Sequence, residues 1–311
     1  MTEPEARRDY DVVVIGAGPA GLGAALNLTR ARFDVLVLDG NRPRHSATLI
    51  SHGFPTRDGI APSELRKLGR EELESYDNCE VQFATVKSVT RDGEGFQVEA
   101  SGIRGSANRS VRAAAVVVAT GLAEQMPALP MLRAYYGTSV HSCMMCDGYG
   151  HSDKPIALIG ETDDLADQAR MLSRWSKDLV VFTNGVGQVS ESDEAALASA
   201  GIRVDRRPLE DLEGDRGGLT GIRVAGGEVV ERSAAFVRPI YSAPLEYLDG
   251  LELDRTSDGL LVVDDSGRTS LPGLYAAGDL TQAGPQQLIV AAGAGGKVAS
   301  AVVQDQTRLP A

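Results

Sequence analysis

The chain alternates between short, unbroken apolar runs and longer stretches in which apolar residues return every three or four positions. Asp11-Val-Val-Val-Ile15, Phe33-Asp-Val-Leu-Val-Leu38, Ala115-Val-Val-Val118, Ile156-Ala-Leu-Ile159 and Asp178-Leu-Val-Val-Phe182 are too short for helices and mostly rich in β-branched residues. That pattern predicts strands buried on both faces of a parallel sheet. Leu22 to Arg32, Asp164 to Ser176 and Ala291 to Val303 carry the helical spacing. Val81-Gln-Phe-Ala-Thr-Val86 predicts a further strand, and the polar segments Gly105 to Ser110 and Glu213 to Gly218 predict hairpin or loop connections. Strands alternating with helices in this way predict an α/β chain with two nucleotide-binding-like domains of Rossmann type.

At 311 residues the chain is long enough for about two domains, each with its own core. Lys and Arg number 31 against 43 Asp and Glu, a formal charge of −12, which argues against a phosphate-backbone partner, so no nucleic acid is expected. No apolar run approaches the roughly 20 residues that span a bilayer, and no membrane association is expected. The polar, charged opening Met1-Thr-Glu-Pro-Glu lacks the order of a secretory signal, so the expected location is cytoplasmic. Of 3 cysteines, two form a C-x-x-C pair, which in a reducing compartment points to redox or metal chemistry rather than a structural staple.

The first strand runs into Gly16-Ala-Gly18-Pro19-Ala20-Gly21, a G-x-G-x-x-G turn that opens a helix. Gly16 permits the tight turn, Gly18 lets a pyrophosphate approach the backbone, and Gly21 allows close helix packing. The helix N-terminus offers free N–H groups and the positive end of its dipole. The second strand ends at Asp39-Gly40, where an acid can hold ribose hydroxyls. Together these features predict a dinucleotide site.

Cys143-Met-Met-Cys146-Asp147-Gly148 lies between two such modules. Two intervening residues allow the sulfurs to meet on one short turn. A zinc site would need further ligands from Cys79 or from the scattered His45, His52, His141 and His151, whose spacing fits no such motif, and no metal is expected. His141 can lower a thiol pKa or shuttle a proton, or serve simply as a buried residue at the entry to the turn. Met144 and Met145 can meet an apolar substrate or fill gaps. Cys79 reads as a structural thiol, Trp175 as packing, and His45 and His52 as loop histidines.

These segments, with Ala-Thr120-Gly121 after the third strand and Leu274-Tyr-Ala-Ala-Gly278-Asp279 near the end, resemble the low-molecular-weight thioredoxin reductase family of flavoproteins over nearly the whole chain. The resemblance implies FAD as cofactor, a homodimer, and an FAD domain (1–118 and 245–311) split by an inserted pyridine-nucleotide-like domain (122–238) that carries the cysteines. It assigns to the flavin site Gly16, Gly18, Pro19, Ala20, Gly21, Asp39, Gly40, Val86, Thr120, Gly121, Gly278, Asp279, Gln286, Gln287 and Leu288. It further implies that Cys146 faces the flavin, Cys143 exchanges with substrate and Asp147 handles protons. A dithiol beside a flavin can move two electrons because one sulfur meets the ring while the other forms or breaks a mixed disulfide.

Two departures stand out. The second nucleotide turn reads Gly160-Glu161-Thr162-Asp163-Asp164, with one glycine and three acids where phosphates should sit, and the following strand ends in Thr183-Asn184-Gly185 where the family places arginines for NADPH. In the FAD half, Arg42-Pro-Arg-His45 to Phe54 replaces the family's Gly-Gly-Gln segment. An intact flavin motif and C-x-x-C beside a degenerate nicotinamide turn resemble the divergent branch that includes the dithiol oxidases of gliotoxin and holomycin type, which use oxygen as acceptor, although Asp147 is the reductase residue where those oxidases carry His. The expected function is oxidation of a small-molecule dithiol to a disulfide. The alternatives are an NADPH- or ferredoxin-dependent reductase of a thioredoxin-like protein, and a redox-sensing flavoprotein without turnover.

Overall fold

A computed structural model describes residues 9–282 and 285–307, less the side chain of His45. The chain divides into two compact units, one built from the residues up to 46, 53–123 and those from 242 onward, the other from 47–52 and 124–241. The second unit thus includes the short segment 47–52, outside the inserted stretch expected from sequence. Gly137 explains how it fits: at φ +88° it lies so close to the carbonyl of Ala47 that a Cβ there would stand 2.1 Å from that oxygen.

In the first unit, β1 (Asp9–Ile15), β2 (Val35–Asp39), β3 (Cys79–Asp92), β5 (Arg109–Val118) and β16 (Leu274–Ala276) form a parallel sheet in the order β3-β2-β1-β5-β16. The far half of β3 turns away to pair antiparallel with β4 (Gly95–Gly102), which pairs antiparallel with β5. Every residue of β2 is buried, as expected for a strand covered on both faces. Val12, Val14, Val35, Val37 and Val117 point to the helix side, while Val13, Ile15, Leu36, Leu38, Val116 and Val118 enter the opposite core with Phe96 and Leu245. That split is the period-two alternation of a strand.

The helix side is filled by α1 (Pro19–Arg30) and α7 (Leu288–Gln306), with α2 (Pro62–Glu74) beside them. α1 begins three residues earlier than the apolar spacing predicts because Pro19 occupies the first turn with its φ already fixed. It stops at Arg30, and Arg32 takes φ +73°, a conformation that ends helices. α1 and α7 cross with glycines at the contact: a Cβ on Gly295 would lie 2.0 Å from the carbonyl oxygen of Ala20, and one on Gly23 2.7 Å from that of Ala292.

Where the chain passes into the second unit, β6 (Ala123–Gln125) pairs with β15 (Ile240–Ser242), and the single turn α3 (Leu132–Tyr135) follows. The parallel sheet of this unit runs β10 (Arg203–Asp205), β9 (Leu179–Phe182), β8 (Ile156–Gly160), β14 (Ala234–Arg238), β7 (Val140–His141). Helices α5 (Leu165–Leu172) and α6 (Glu191–Ser199) cover one face, and the antiparallel β11 (Leu209–Asp215), β12 (Gly218–Val224) and β13 (Val229–Glu231) the other. Between β7 and β8 lies the short helix α4 (Met144–Asp147). Among the described residues no helix is long and apolar enough to cross a membrane.

Candidate active site

The first glycine turn is shaped by close backbone contacts. Gly16 sits at φ +106° with a would-be Cβ 2.5 Å from the carbonyl oxygen of Ala119, and a Cβ on Gly21 would lie 1.8 Å from the carbonyl oxygen of Gly16. Gly18, the N-cap of α1, and Gly40 have open space where a side chain would stand. No acidic residue and no capping side chain occupies the first turn of α1, so its N–H groups remain available to an anion. At the end of β2, Asp39 is buried. Its Oδ1 accepts from the amide of Asn41 at 3.0 Å, whereas Oδ2 is buried without a hydrogen bond. The nearest cation, Arg66 Nη1, stands 3.9 Å from that oxygen. An orphaned carboxylate oxygen beside an open glycine turn fits a ribose hydroxyl donor.

The remaining residues assigned to the flavin lie in the same unit. Val86 is buried in β3 opposite Ala100. Thr120 shares a hydrogen bond of 3.2 Å with the Tyr247 hydroxyl, and Gly121 and Gly278 adopt φ of +66° and +88°. Gln287 caps α7, which begins at Leu288. Sequence reasoning passed over Arg44, inside the stretch that replaces the Gly-Gly-Gln segment. Its guanidinium donates to Asp279 Oδ2 at 2.6 Å and to Gln286 Oε1 at 3.1 Å, tying that divergent loop to the Gly-Asp acid. A lone arginine in a loop carries no motif that announces such a partner.

The second turn is filled by its own side chains. Asn184 Nδ2 donates to Glu161 Oε1 at 2.6 Å while its Oδ1 accepts from the amide of Leu209. Asp164 accepts from Thr162 at 2.7 Å, Gln168 at 3.0 Å and Arg238 Nε at 2.8 Å. Burial raises the Asp164 pKa, but the hydrogen bonds from Thr162 and Arg238 and the Arg238 charge outweigh it, and the net shift is downward. Asp164 is thus ionised and held by its neighbours, which stabilises a helix start but repels phosphate. The arginines after β10 do not replace the missing cluster, since Arg207 is bound to Asp205 and Glu228, and Arg206 to Glu194.

Cys143 and Cys146 are joined in a disulfide with Cα atoms 5.3 Å apart. Cys143 is the N-cap of α4, and its sulfur accepts from the amide of Cys146 at 3.2 Å, a donor placed to stabilise a thiolate when the bond opens. Met144 is buried in the core of this unit, whereas Met145 is 58% and Tyr149 88% exposed. The ring of Trp175 lies where a Cβ on Gly148 would stand, at 2.8 Å, so this glycine is required by packing. Asp147 is largely buried, and desolvation raises its pKa to about 6, opposed by the positive potential of His52. His141 Nδ1 lies 3.4 Å from Asp147 Oδ1. Burial lowers the His141 pKa, so that contact joins a neutral imidazole to the acid rather than two charges. His45's side chain lies outside the described residues. Cys79 lies at the start of β3, and burial raises its thiol pKa, the mark of an unreactive sulfur. Among the described residues no group of three or more His, Cys, Asp or Glu is arranged to hold a metal ion.

Comparison with known proteins agrees with this assembly. The thioredoxin reductase of Streptomyces coelicolor is 32% identical over 297 residues, covering 92% of this chain and 90% of its own. TrxB of Bacillus anthracis superposes with a TM-score of 0.88 at 36% identity over 96% of this chain and 98% of its own. HlmI superposes with a TM-score of 0.88 at 34% identity over 95% and 92%. The family model for pyridine nucleotide-disulphide oxidoreductases matches residues 10–295. The chain belongs to that family, as an FAD-dependent, thioredoxin reductase-like thiol–disulfide oxidoreductase of a divergent branch.

Proposed function

We propose that this enzyme oxidises a dithiol to a disulfide and passes the electrons through FAD to oxygen, without NADPH. The observation that carries this reading is the second nucleotide turn, where Glu161 is bonded to Asn184 and Asp164 to Arg238, in contrast to the open first turn. A dinucleotide phosphate at the second turn would have to displace both pairs and then face carboxylates.

Chemically, a substrate thiolate attacks Cys143 Sγ, the Cys143–Cys146 bond breaks, and Cys146 leaves as thiolate. The second substrate thiolate attacks the sulfur bound to Cys143, closing the product disulfide and releasing Cys143 as thiolate. Asp147 takes up a proton shed by the substrate. Bound FAD supplies the two-electron acceptor that restores the disulfide, and with oxygen the balance is one dithiol and one O2 to one disulfide and one H2O2. Met145 and Tyr149, exposed beside the cysteines, offer an apolar surface to a small-molecule substrate.

Anaerobic mixing of the holoenzyme with dithiothreitol is expected to bleach the flavin band near about 450 nm, with recovery on admitting air and formation of peroxide. NADPH is expected to leave the band unchanged on the same timescale. Rapid bleaching by NADPH would overturn the reading in favour of a reductase acting on a thioredoxin-like protein, the alternative to which Asp147 and the thioredoxin reductase relatives lend support.

A further inference from the structure

We propose that His141 and His151 form a proton relay that connects Asp147 to solvent. The inference rests on Cys143 and Cys146 as the exchanging pair but not on the direction of electron flow. From its spacing alone, His151 has no role beyond that of an unsuitable zinc ligand. The structure brings its Nε2 to 2.9 Å from His141 Nε2, with the rings 4.9 Å apart between centroids. His141 is fixed by β7, where it pairs with Phe236 of β14, and the Phe236 ring lies 5.9 Å from His141 and 6.3 Å from His151. His141 is buried, His151 is partly exposed and Lys154 beyond it is exposed, so the line runs from the interior outward.

Hydrogen-bond chemistry fixes where the protons sit. The carbonyl oxygen of Thr138 lies 3.0 Å from His141 Nε2, and a carbonyl can only accept. His141 therefore carries its hydrogen on Nε2, which leaves the Nδ1 lone pair facing Asp147 Oδ1 at 3.4 Å. Only one hydrogen fits on the line between the two Nε2 atoms. Held by His141 it also bonds the Thr138 carbonyl. Moved to His151, it makes that ring an imidazolium, and once the Nδ1 hydrogen leaves to water the Nδ1 lone pair can accept from Lys154 Nζ, 3.4 Å away. The shared proton thus has a supporting partner at each end.

A thiol proton taken by the Asp147 carboxylate passes to His141 Nδ1, the Nε2 hydrogen of His141 moves to His151 Nε2, and His151 releases a proton to water. Each ring gains one proton and loses one, and reversal serves reduction of a disulfide. The groups facing this line are His52 towards Asp147, and Lys154 towards both histidines. Ser142, the residue after His141, is hydrogen-bonded to Tyr136 and Glu124, and the uncharged Phe236 ring lies near both histidines. Burial, the nearby His141 and the Lys154 charge hold His151 down to about 4, so it is neutral and able to accept at neutral pH.

The test is stopped-flow reduction of the holoenzyme by dithiothreitol without oxygen, followed across pH in wild type and in His151→Gln, which keeps a hydrogen-bonding side chain but cannot relay. The variant is expected to be slower by about tenfold at neutral pH, to recover with added imidazole, and to match wild type above the thiol pKa of about 8.5, where the substrate ionises unaided. Equal rates at every pH, or a loss that imidazole does not repair, would overturn the relay. A wild type that dithiol does not reduce at all would instead remove the exchanging cysteine pair, and the relay with it. With only 4 histidines in the chain, nitrogen NMR of the wild type gives an independent reading: an Nε2–H tautomer at His141 supports the relay and an Nδ1–H tautomer refutes it, whether or not the variant folds.

Discussion

The two strand-turn-helix modules share a frame and differ in what their turns hold. β1 and β8 are both largely buried parallel strands, β1 running into Gly16 and β8 ending in Gly160, and α1 and α5 follow them. At α1 the space beside Gly18 is open and no acid stands in the first turn. At α5 Asp164 is the N-cap, Asp167 lies in the first turn, and Glu161 and Asp164 are hydrogen-bonded by neighbouring side chains. Burial of apolar strands preserves the frame in both modules, because each buried Val, Leu or Ile is worth about 1.5–3 kcal/mol whether or not a ligand binds. Ligand binding is decided instead by three or four residues in the turn, and those can change without disturbing the core.

The sharpest way to break the comparison is to add one methyl group to each turn. Gly21→Ala places a Cβ 1.8 Å from the Gly16 carbonyl oxygen, which cannot yield without opening the turn. This variant is expected to purify with flavin content reduced at least about tenfold, a loss of 1.4 kcal/mol or more in binding, measured by absorbance against protein. Gly160→Ala meets instead Leu165 Cδ2 at 2.7 Å, which can shift, and Arg238 Cβ at 2.9 Å, which moves only with its strand. It is expected to keep its flavin while losing about 1–3 kcal/mol of stability. Equal flavin loss in both variants would show that the second turn does more than hold its own helix.

A smaller effect separates charge from filling. Glu161→Gln with Asp163→Asn removes two negative charges near the start of α5, each worth about 0.3–1 kcal/mol against an anion. The rate of flavin reduction by NADPH is expected to rise by only about two- to fivefold per charge. A rise of several hundredfold would mean that charge alone closed the site.

The smallest effect belongs to Asp164. Its pKa is lowered in the folded chain, so its contribution to stability is present above the ordinary carboxylate value of 3.8 and is lost as pH falls through the lowered one. Because its side chain and that of Arg238 are about one-third exposed, Asp164→Asn is expected to cost only about 1 kcal/mol at neutral pH, a fall of about 2–4 °C in Tm. The difference from wild type should vanish in strong acid. Thermal unfolding of both proteins across pH measures it.

The apolar runs of the sequence determined the α/β class and the parallel strands, since runs such as Val12 to Ile15 have no other stable place than a sheet covered on both faces. The glycines at 16, 18 and 21 and the pair Cys143 and Cys146 marked the chemistry because local backbone geometry demands those residues at those spacings. Element ends were less legible, as at β3, where one strand serves two partners and only pairing sets its length. What the tertiary structure alone decided are the partnerships between residues far apart in sequence: Arg44 with Asp279, Arg238 with Asp164, and His151 with His141. These are single polar side chains in segments without a repeat or a period, and even His151 and His141, only ten residues apart, are joined across α4 and not by a local motif. Their roles depend on which strands and loops come to lie side by side, and that is set by the burial of the whole sheet rather than by any pattern around the residues themselves.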